Sequence, residues 1–407
     1  MTPMDALLER YLPHTGSPLF RDRRLQAELL DTADDLLDLG PDLYTLRQLE
    51  SAYGLKRNWL AQTVIKLALS KRVLCDLCDP HRFTIVVPLY RSHQKLLSPQ
   101  AHPDGEACIQ RKLDQLQWLF SGAHRHYWQM VLVDERCPNQ SGQIAARQIR
   151  ERSMASRAEV LWIDEQVSRG LAPMILRDQP HRQGAGAVLG MWHAISQWGQ
   201  DNHIVVVCDP RLDFNLGQIG LLSQPMQAGR LWAVVGSRYR PDSVSLPRHE
   251  SSETLLVAYL WRRLLPQLNG VLDPFSGIKA YQGTTCMALV EGLSGLGASL
   301  DLELLLQAQL SEPESIREVP VAHMGSGGAG SDPLTLLRDV VRLYRRYLPQ
   351  QPLSEQFAAL VDQLDGEKWN RLASTMAGEL AQQNLDDLMH RCVYSPQHLA
   401  VRMKSRG

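Results

Sequence analysis

The sequence predicts an α/β fold with a mostly parallel sheet, preceded by a helical N-terminal module and followed by a helical C-terminal tail. Residues 82–348 alternate short apolar runs with helical stretches, which is the βα rhythm of a parallel sheet. The clearest run, HIVVVC at 203–208, is continuous and β-branched, as in a strand covered on both faces. It ends at Asp209, and carboxylates at that end of a parallel strand lie where α/β folds bind their ligands. We therefore expect three units, at residues 1–80, 82–348 and 349–407.

The composition is ordinary for a globular protein and argues against several classes of function. The 407 residues include 44% hydrophobic residues and carry a net charge of −1, so no overall basic field favours nucleic acid as a partner. Seven cysteines without a disulfide pattern, and no signal peptide, indicate a reducing cytoplasm. No apolar run approaches the roughly 18 to 20 residues that span a bilayer. We expect a cytoplasmic protein, either free or peripheral to the membrane. A homo-oligomer is compatible with the sequence, which leaves the oligomeric state open.

The N-terminal module has helical periodicity and resembles a winged helix-turn-helix over residues 44–73. Two short amphipathic helices, the second at about 58–70, are separated by a turn at Tyr53 and Gly54, and residues 72–87 can supply a β-ribbon. One alternative is DNA binding through polar side chains of the turn and second helix, namely Lys56, Arg57, Asn58 and Lys66. The other, which we favour, is a helical module for docking or oligomerisation, because the second helix carries few side chains that read bases.

Two predicted strand ends and a Gly-rich turn can form a nucleotide pocket. Pro88 and Tyr90 end one predicted strand and Asp134 ends the next, so these residues can pinch a planar base, with the carboxylate accepting a ring N–H. Arg182 stands just before the Gly-rich residues 184–186, whose backbone can approach a diphosphate at the N-terminus of the following helix. Asp134 is also of the type that simply caps a helix or turn.

Two carboxylates, Asp301 and Glu303, lie two residues apart in the segment LDLELL. In an extended segment both side chains would point to one face, and one carboxylate can serve as a general base for an acceptor hydroxyl. In a helix that begins near Ser299, only one of them would reach the site. The sequence leaves both alternatives open.

Taken in order, these segments resemble the GT-A glycosyltransferases of family 2, and especially the dolichyl- and polyprenyl-phosphate sugar transferases. The resemblance covers about residues 82–348. It rests on an ordered series of motifs: GSRY at 236–239, Arg248 with Ser252, DPFSGIKAY at 273–281, DLELLLQA at 301–308 and EVPV at 318–321. It implies a GT-A fold and transfer of a hexosyl group from a UDP- or GDP-linked sugar to a phosphorylated small molecule or lipid phosphate. It also implies inversion by direct displacement at the anomeric carbon.

The resemblance assigns roles to individual residues. The donor-binding residues that it implies are Pro88, Tyr90, Asp134, Arg182 and Gly184, and Arg211 is a further donor-binding candidate from its own chemistry. The acceptor-binding residues are Arg238, Arg248, Ser252, Asp273, Gly277 and Lys279. Asp301 or Glu303 assists the acceptor, and Asp209 holds Mg²⁺ or Mn²⁺ at the leaving diphosphate.

The sequence departs from the family pattern at the metal motif. Pro210 and Arg211 follow Asp209 where a second carboxylate is expected, although Asp213 stands two residues further on. Arg211 can clamp the diphosphate in place of a metal, or it can pair with Asp209 or Asp213 and leave no metal site. The alternative function is a catalytically impaired GT-A-like protein that binds a nucleotide sugar or acts as a regulator, with DNA binding through the N-terminal module as one form of it.

Overall fold

The computed structural model describes residues 2–11, 22–179, 183–246, 251–325, 332–383, 388 and 394–404. The N-terminal helices are α1 (Pro3–Leu8), α2 (Arg23–Asp38), α3 (Leu43–Leu55) and α4 (Trp59–Asp76). All four begin after a residue whose side chain accepts a backbone hydrogen bond of the first turn: Thr2, Asp22, Asp42 and Asn58. These caps are local sequence signals, and they help to explain where each helix begins.

The chain then enters an α/β region with nine described strands. The strands are β1 (Arg82–Leu89), β2 (Tyr127–Asp134), β3 (Ala158–Trp162), β4 (His203–Cys208), β5 (Ala233–Ser237), β6 (Val244–Leu246), β7 (Ile278–Gln282), β8 (Ile316–Pro320) and β9 (Ala322–Met324). Seven of them form one sheet in the order β3-β2-β1-β4-β7-β5-β8, and β6 pairs with β9 in a small second sheet. Strand β7 is antiparallel to both neighbours, whereas every other neighbouring pair of the large sheet is parallel. This confirms the predicted fold class, an α/β domain with a mostly parallel sheet.

The order of the strands creates a switch point beside β1. The chain builds β1, β2 and β3 toward one edge of the sheet and then places β4 on the other side of β1. Connections therefore leave β1 and β4 in opposite directions, and a crevice opens between their carboxyl ends. Open α/β sheets bind ligands at such a point.

Helices cover both faces of the large sheet. They are α5 (His93–Leu96), α6 (Cys108–Phe120), α7 (Ser141–Glu151), α8 (Ile163–Ser168), α9 (Met174–Asp178), α10 (Ala185–Trp198), α11 (Ile219–Ser223), α12 (Ser252–Leu264), α13 (Gly283–Glu291) and α14 (Leu300–Ser311). Successive β4 residues alternate between two separate apolar clusters, with Val205 in one and Ile204 and Val206 in the other. The unbroken apolar run at 203–208 follows from this double coverage.

The C-terminal tail is helical, as predicted. It consists of α15 (Pro333–Tyr347), α16 (Pro352–Asp362), α17 (Gly366–Leu380) and α18 (Pro396–Lys404). Their apolar faces join the cluster that also contains α10, α12 and α14. The tail is therefore part of the layer that covers one face of the sheet.

The N-terminal helices share a core with the small sheet. Helix α4 is buried along most of its length, and its apolar residues cluster with Val244 of β6 and with Ala322 and Met324 of β9. Lys66 of α4 is fully buried, where it pairs with Glu50 of α3. The helices thus pack as a continuation of the α/β core, with little of α4 left accessible.

The helical character of the N-terminal module is confirmed, but its predicted β-ribbon is wrong. Residues 72–76 continue α4, and residues 82–89 form β1 in the interior of the large sheet. Two of the proposed DNA contacts are also occupied: Lys66 is buried, and the side chain of Asn58 accepts a hydrogen bond from Ala61 N at 3.2 Å. A DNA-reading role for α4 is therefore excluded by its burial. Among the described residues, no helix combines the length and apolarity that crossing a bilayer needs.

Candidate active site

Tyr90 lies at the switch point, directly after β1. Its side chain is 50% exposed, which is high for an aromatic ring, and the guanidinium of Arg91 lies 5.3 Å from the ring centroid. Pro88 precedes it within β1 and is partly buried. An accessible ring at the carboxyl end of β1 can stack on a planar base, as the sequence predicted.

Asp134 ends β2, but its carboxylate caps the following helix. It is 5% exposed and accepts hydrogen bonds from Cys137 N at 2.9 Å and Gly142 N at 2.7 Å. A Cβ atom on Gly142 would lie 2.6 Å from the carboxylate, so this close approach requires glycine. Asp134 therefore acts as a cap in the structure, and its binding of a base stays a prediction.

Glu135, which the sequence did not single out as a site residue, reaches the N-terminus of α10. Its Oε1 accepts a hydrogen bond from Gly186 N at 2.7 Å. A Cβ on Gly186 would meet the same oxygen at 2.7 Å, so the Gly-rich segment admits this carboxylate. Burial raises the pKa of Glu135 to about 7. The helix N-terminus that was predicted to receive a diphosphate is thus already contacted by the carboxyl group of Glu135, the residue after β2. Arg182 lies outside the described residues.

The raised pKa of Glu135 predicts a dependence of stability on pH. Between about pH 4.5 and pH 7 the folded protein keeps a proton on Glu135 that the unfolded chain has released, so stability falls as pH rises through this window. We expect Glu135→Gln, which keeps an acceptor for Gly186 N, to be roughly 2 kcal/mol more stable than the wild type at pH 8 and equally stable at pH 4. Urea unfolding at several pH values measures this difference. Parallel pH profiles for the two proteins would contradict it.

Gly184 joins the start of α10 to the start of α14. Its φ is +90°, and a Cβ there would lie 2.5 Å from the Leu300 side chain. The Gly-rich turn therefore serves close packing against the helix that carries Asp301. In this way the predicted donor element and the predicted general base are brought together.

The Asp209 loop follows β4 and is closed by Arg211. The Arg211 guanidinium donates from Nε to Asp209 Oδ1 at 3.0 Å and from Nη2 to Oδ2 at 2.9 Å, and its Nη1 lies 3.4 Å from Asp213 Oδ2. Burial acts to raise the pKa of Asp209, but the hydrogen bonds and charge of Arg211 outweigh it and lower that pKa. For Asp213, burial prevails and the pKa is raised. The pairing of Arg211 with Asp209 and Asp213 is thus observed, and its contact with a diphosphate stays a prediction.

This arrangement does not fit a divalent cation at Asp209. Both oxygens of the carboxylate are engaged by one guanidinium, and Asp213 faces the same guanidinium. Within the described ranges, no group of three or more His, Cys, Asp or Glu side chains is placed to hold a metal ion. Mg²⁺ or Mn²⁺ binding would require Arg211 to leave Asp209.

Lys112 of α6 is a second cation near this loop, and no sequence motif pointed to it. It is only 1% exposed, and in the part of the chain that the structure describes no residue forms an ion pair or hydrogen bond with it. Its charge acts to lower the pKa of Asp209 and also acts on Asp213. The signal that could have found it is its helical position four residues after Cys108, on the face of α6 turned toward the sheet.

The DPFSG segment lies against the Asp209 loop. Asp209 N donates to Gly277 O at 2.9 Å, and a Cβ on Gly277 would lie 3.3 Å from Asp209 Cβ and 3.1 Å from the Phe214 ring. The ring of His323 contacts Phe214 at 4.8 Å between centroids, and burial lowers the pKa of His323 to about 4. Gly277 therefore permits a close approach, as expected, but to the donor-side loop.

The predicted acceptor-side cations are held by carboxylates. Arg238 donates from Nε to Asp273 Oδ2 at 2.9 Å and from Nη2 to Oδ1 at 2.7 Å, and Asp273 is 1% exposed. Asp273 N in turn donates to Glu318 Oε1 at 2.7 Å, and Arg240 pairs with Glu318 Oε2 at 2.9 Å. The four side chains form one network that fixes the end of β5 to the DPFSG segment. They bring two guanidinium groups to the predicted acceptor side.

The structure does not support an acceptor contact for two further predicted residues, Arg248 and Ser252. Arg248 lies outside the described residues. Ser252 is the first residue of α12, and its Oγ donates to Ala377 O of the tail at 3.2 Å. The hydroxyl of Ser252 thus fastens α12 to α17, and its predicted contact with an acceptor has no support in this geometry.

Helix α14 separates the two candidate carboxylates. Asp301 Oδ1 lies 3.1 Å from Lys279 Nζ of β7, and the Asp301 side chain is 36% exposed. Glu303 is buried and accepts from Ser294 N at 2.6 Å and from the Tyr347 hydroxyl at 2.8 Å. The extended-segment alternative is wrong because residues 300–311 are helical, and the helix turns Glu303 into the packing between α14 and α15. Asp301 alone faces the site.

Comparison with known proteins gives likenesses in fold at low sequence identity. The structure of glucosyl-3-phosphoglycerate synthase from Mycobacterium tuberculosis with Mn²⁺, uridine-diphosphate-glucose and glycerol 3-phosphate is 18% identical, covers 69% of this chain and 83% of that chain, and has a TM-score of 0.45. The same enzyme with Mg²⁺ and uridine-diphosphate is 17% identical, covers 69% and 82%, and has a TM-score of 0.44. No protein-family model and no curated protein matches the chain.

Proposed function

We propose that the chain is a glycosyltransferase that moves a hexosyl group from a nucleotide diphospho-sugar to a phosphorylated acceptor. The observation that carries the proposal is the junction of the Asp209 loop with the DPFSG segment, through the 2.9 Å hydrogen bond from Asp209 N to Gly277 O. Lys279, two residues further on, pairs with Asp301. The predicted donor loop, acceptor segment and general base therefore share one end of the sheet, beside the switch point.

The donor would lie in the crevice between the ends of β1 and β4. Tyr90 offers an accessible ring for the base at one side of the crevice, and the Asp209 loop forms the other side. The sugar would then project toward the first turn of α14, because Leu300 packs on the turn that begins α10. In this arrangement the anomeric carbon would lie on the side of the Asp301 carboxylate.

Stacking on Tyr90 gives a test of the donor site. Tyr90→Ala should weaken nucleotide-sugar binding by about 1–2 kcal/mol, or roughly 5- to 30-fold in Kd, because the base loses its aromatic contact. Titration calorimetry measures the loss. Tyr90→Phe keeps the ring and should bind nearly as tightly as the wild type, and Tyr44→Ala removes a comparably exposed ring (71%) from α3 as a matched control. Equal affinity of Tyr90→Ala and Tyr44→Ala would contradict the assignment.

The chemistry is direct displacement assisted by Asp301. Its carboxylate can accept the proton of an acceptor hydroxyl while that oxygen attacks the anomeric carbon from the face opposite the leaving diphosphate. The ammonium of Lys279 lies 3.1 Å away, so it compensates the carboxylate charge and keeps the side chain in one orientation. A single displacement of this kind inverts the configuration at the anomeric carbon.

A phosphorylated acceptor fits the charge of the acceptor side. Arg238 and Arg240 lie at the end of β5 and beyond it, each fixed by a buried carboxylate, and guanidinium groups match phosphate geometry. The acceptor can be a soluble phosphate ester or the phosphate of a polyprenyl lipid, as the sequence resemblance implies. The ester would attack through a hydroxyl and give its proton to Asp301, whereas the lipid would attack through a phosphate oxygen and give Asp301 a proton only as the monoanion. Assays with both types of acceptor distinguish them.

The proposal is tested by release of nucleoside diphosphate. The full chain is incubated with UDP- and GDP-linked hexoses and a panel of soluble and lipid phosphate acceptors, and products are identified by mass spectrometry. Acceptor-dependent release with a glycosylated product supports transfer. Binding of a nucleotide sugar without any release supports the second candidate, a binding or regulatory protein, which is favoured by the internal pairing of Arg211 and Arg238. No binding and no release would refute both.

A further inference from the structure

The Asp209 loop presents a fixed guanidinium at the place where the sequence pattern led us to expect a metal ion. A guanidinium has five N–H donors. Two of them, on Nε and Nη2, point to Asp209, and Nη1 faces Asp213 at 3.4 Å. One N–H on each terminal nitrogen is therefore left over. Two N–H groups on the two terminal nitrogens of a guanidinium form the fork that binds two oxygens of one phosphate.

The two carboxylates set the orientation of Arg211 before any ligand arrives. Its backbone N also donates to Asp209 Oδ1 at 2.8 Å, so main chain and side chain are fixed by the same group. The loop is itself held from two sides, because Asp209 N bonds to Gly277 O and Met324 N donates to Asp213 O at 3.0 Å. The Arg211 side chain nevertheless remains 36% exposed. It is therefore preorganised and accessible, which are the conditions for tight anion binding.

Lys112 adds a second positive charge on the buried side of the loop. A lysine that is 1% exposed normally has a paired anion, yet none of the described residues forms an ion pair with it. The charge of Lys112 acts to lower the pKa of both Asp209 and Asp213, although burial still raises the pKa of Asp213. Arg211 and Lys112 would repel an incoming divalent cation and attract an incoming diphosphate. The carboxylates of Asp209, Asp213 and Glu106 act in the opposite sense, so the oriented guanidinium is the group of this loop that favours a diphosphate.

We propose that Arg211, oriented by Asp209 and Asp213 and supported by the buried charge of Lys112, binds the donor diphosphate in place of a divalent metal ion. This inference rests on the proposed function, since it describes the donor site of that transferase. Asp209 is then a positioning residue for Arg211. The guanidinium stabilises the charge that develops on the leaving diphosphate.

The test compares nucleoside diphosphates with nucleosides. Binding of UDP, GDP, uridine and guanosine to the full chain is measured by calorimetry in EDTA and again in Mg²⁺ or Mn²⁺. We expect the diphosphate that binds to have the same Kd, within about twofold, in all three conditions. Arg211→Ala should weaken the diphosphate by about 10- to 100-fold and leave the nucleoside unchanged, because only the diphosphate contacts the guanidinium. Lys112→Met should weaken the diphosphate by a smaller factor. Arg147→Ala, at an exposed arginine of α7, is the matched control.

A second variant keeps the outcome decisive. Arg211→Asp places a carboxylate beside Asp209 and should make diphosphate binding dependent on Mn²⁺. A circular dichroism spectrum like that of the wild type shows that this variant is folded. Loss of wild-type binding in EDTA, or an unchanged affinity of Arg211→Ala, overturns the inference while leaving a nucleotide-binding transferase in place. Failure of every nucleotide and nucleotide sugar to bind under any condition overturns the proposed function and the inference with it.

Discussion

Replacement of Asp301 by Asn is expected to lower kcat by about 100- to 10,000-fold while leaving the KM for the nucleotide sugar nearly unchanged. Asn keeps the shape and one oxygen acceptor but cannot take a proton from the acceptor hydroxyl. The ion pair with Lys279 is lost as well, although Asn can still accept a hydrogen bond from that ammonium. Initial rates of nucleoside diphosphate release at saturating acceptor measure the effect, and calorimetry with the donor shows that binding survives.

Glu303→Gln is the matched control, because it makes the same chemical change two residues later in the same helix. Glu303 accepts from Ser294 N and the Tyr347 hydroxyl, so its replacement should lower the thermal stability with little change in kcat. A kcat loss that is larger for Glu303→Gln than for Asp301→Asn would reverse the assignment. Full activity of Asp301→Asn would remove the general base from the mechanism.

Several strands were accessible to sequence reasoning because they depend on short-range patterns, whereas their order in the sheet was not. The run at 203–208 is continuous since both faces of β4 are covered, and this is visible in the residues alone. The ends of β1, β2 and β4 were placed correctly for the same reason. Caps of the N-terminal helices, such as Asp42 and Asn58, are equally local signals.

The partners of the charged residues were not accessible, because they depend on distances between segments far apart in sequence. The hydrogen bond from Gly186 N to Glu135 and the ion pair of Lys279 with Asp301 each join segments far apart in sequence. Arg211 and Asp209 are close in sequence, yet their spacing allowed either an internal pair or a metal site, and only the fold of the loop decides between them. A sequence shows which charges exist, whereas the tertiary structure determines which of them neutralise one another.

The predicted boundary between an N-terminal module and the α/β domain also depends on contacts that the sequence does not show. Helical periodicity at residues 1–80 reports amphipathic helices and does not say what their apolar faces contact. In the structure they contact β6 and β9, and Lys66 Nζ also lies 3.4 Å from Pro320 O at the end of β8. A sensor or docking module should be separable from the α/β domain, whereas these helices share an apolar cluster with its small sheet.

Lys66→Met is therefore expected to destabilise the whole chain by about 3–5 kcal/mol. Lys66 is fully buried and Glu50 nearly so, and removal of the ammonium leaves an unpaired carboxylate in an apolar interior. Because this interior is shared by α3, α4 and the small sheet, the loss should appear as one cooperative transition in urea, followed by circular dichroism and by tryptophan fluorescence. Two separate transitions, with only the N-terminal helices affected, would show an independent module.

The double replacement Glu50→Leu with Lys66→Met separates the loss of a cation from the loss of packing. Apolar side chains of similar volume fill the same space without an unpaired charge, so the double variant should recover most or all of the stability lost by Lys66→Met. If the double variant is as unstable as Lys66→Met, the unpaired carboxylate of Glu50 is not the cause of the destabilisation. If Lys66→Met is itself as stable as the wild type, Glu50 is not held in an apolar interior and the N-terminal helices do not share the core of the α/β domain in solution.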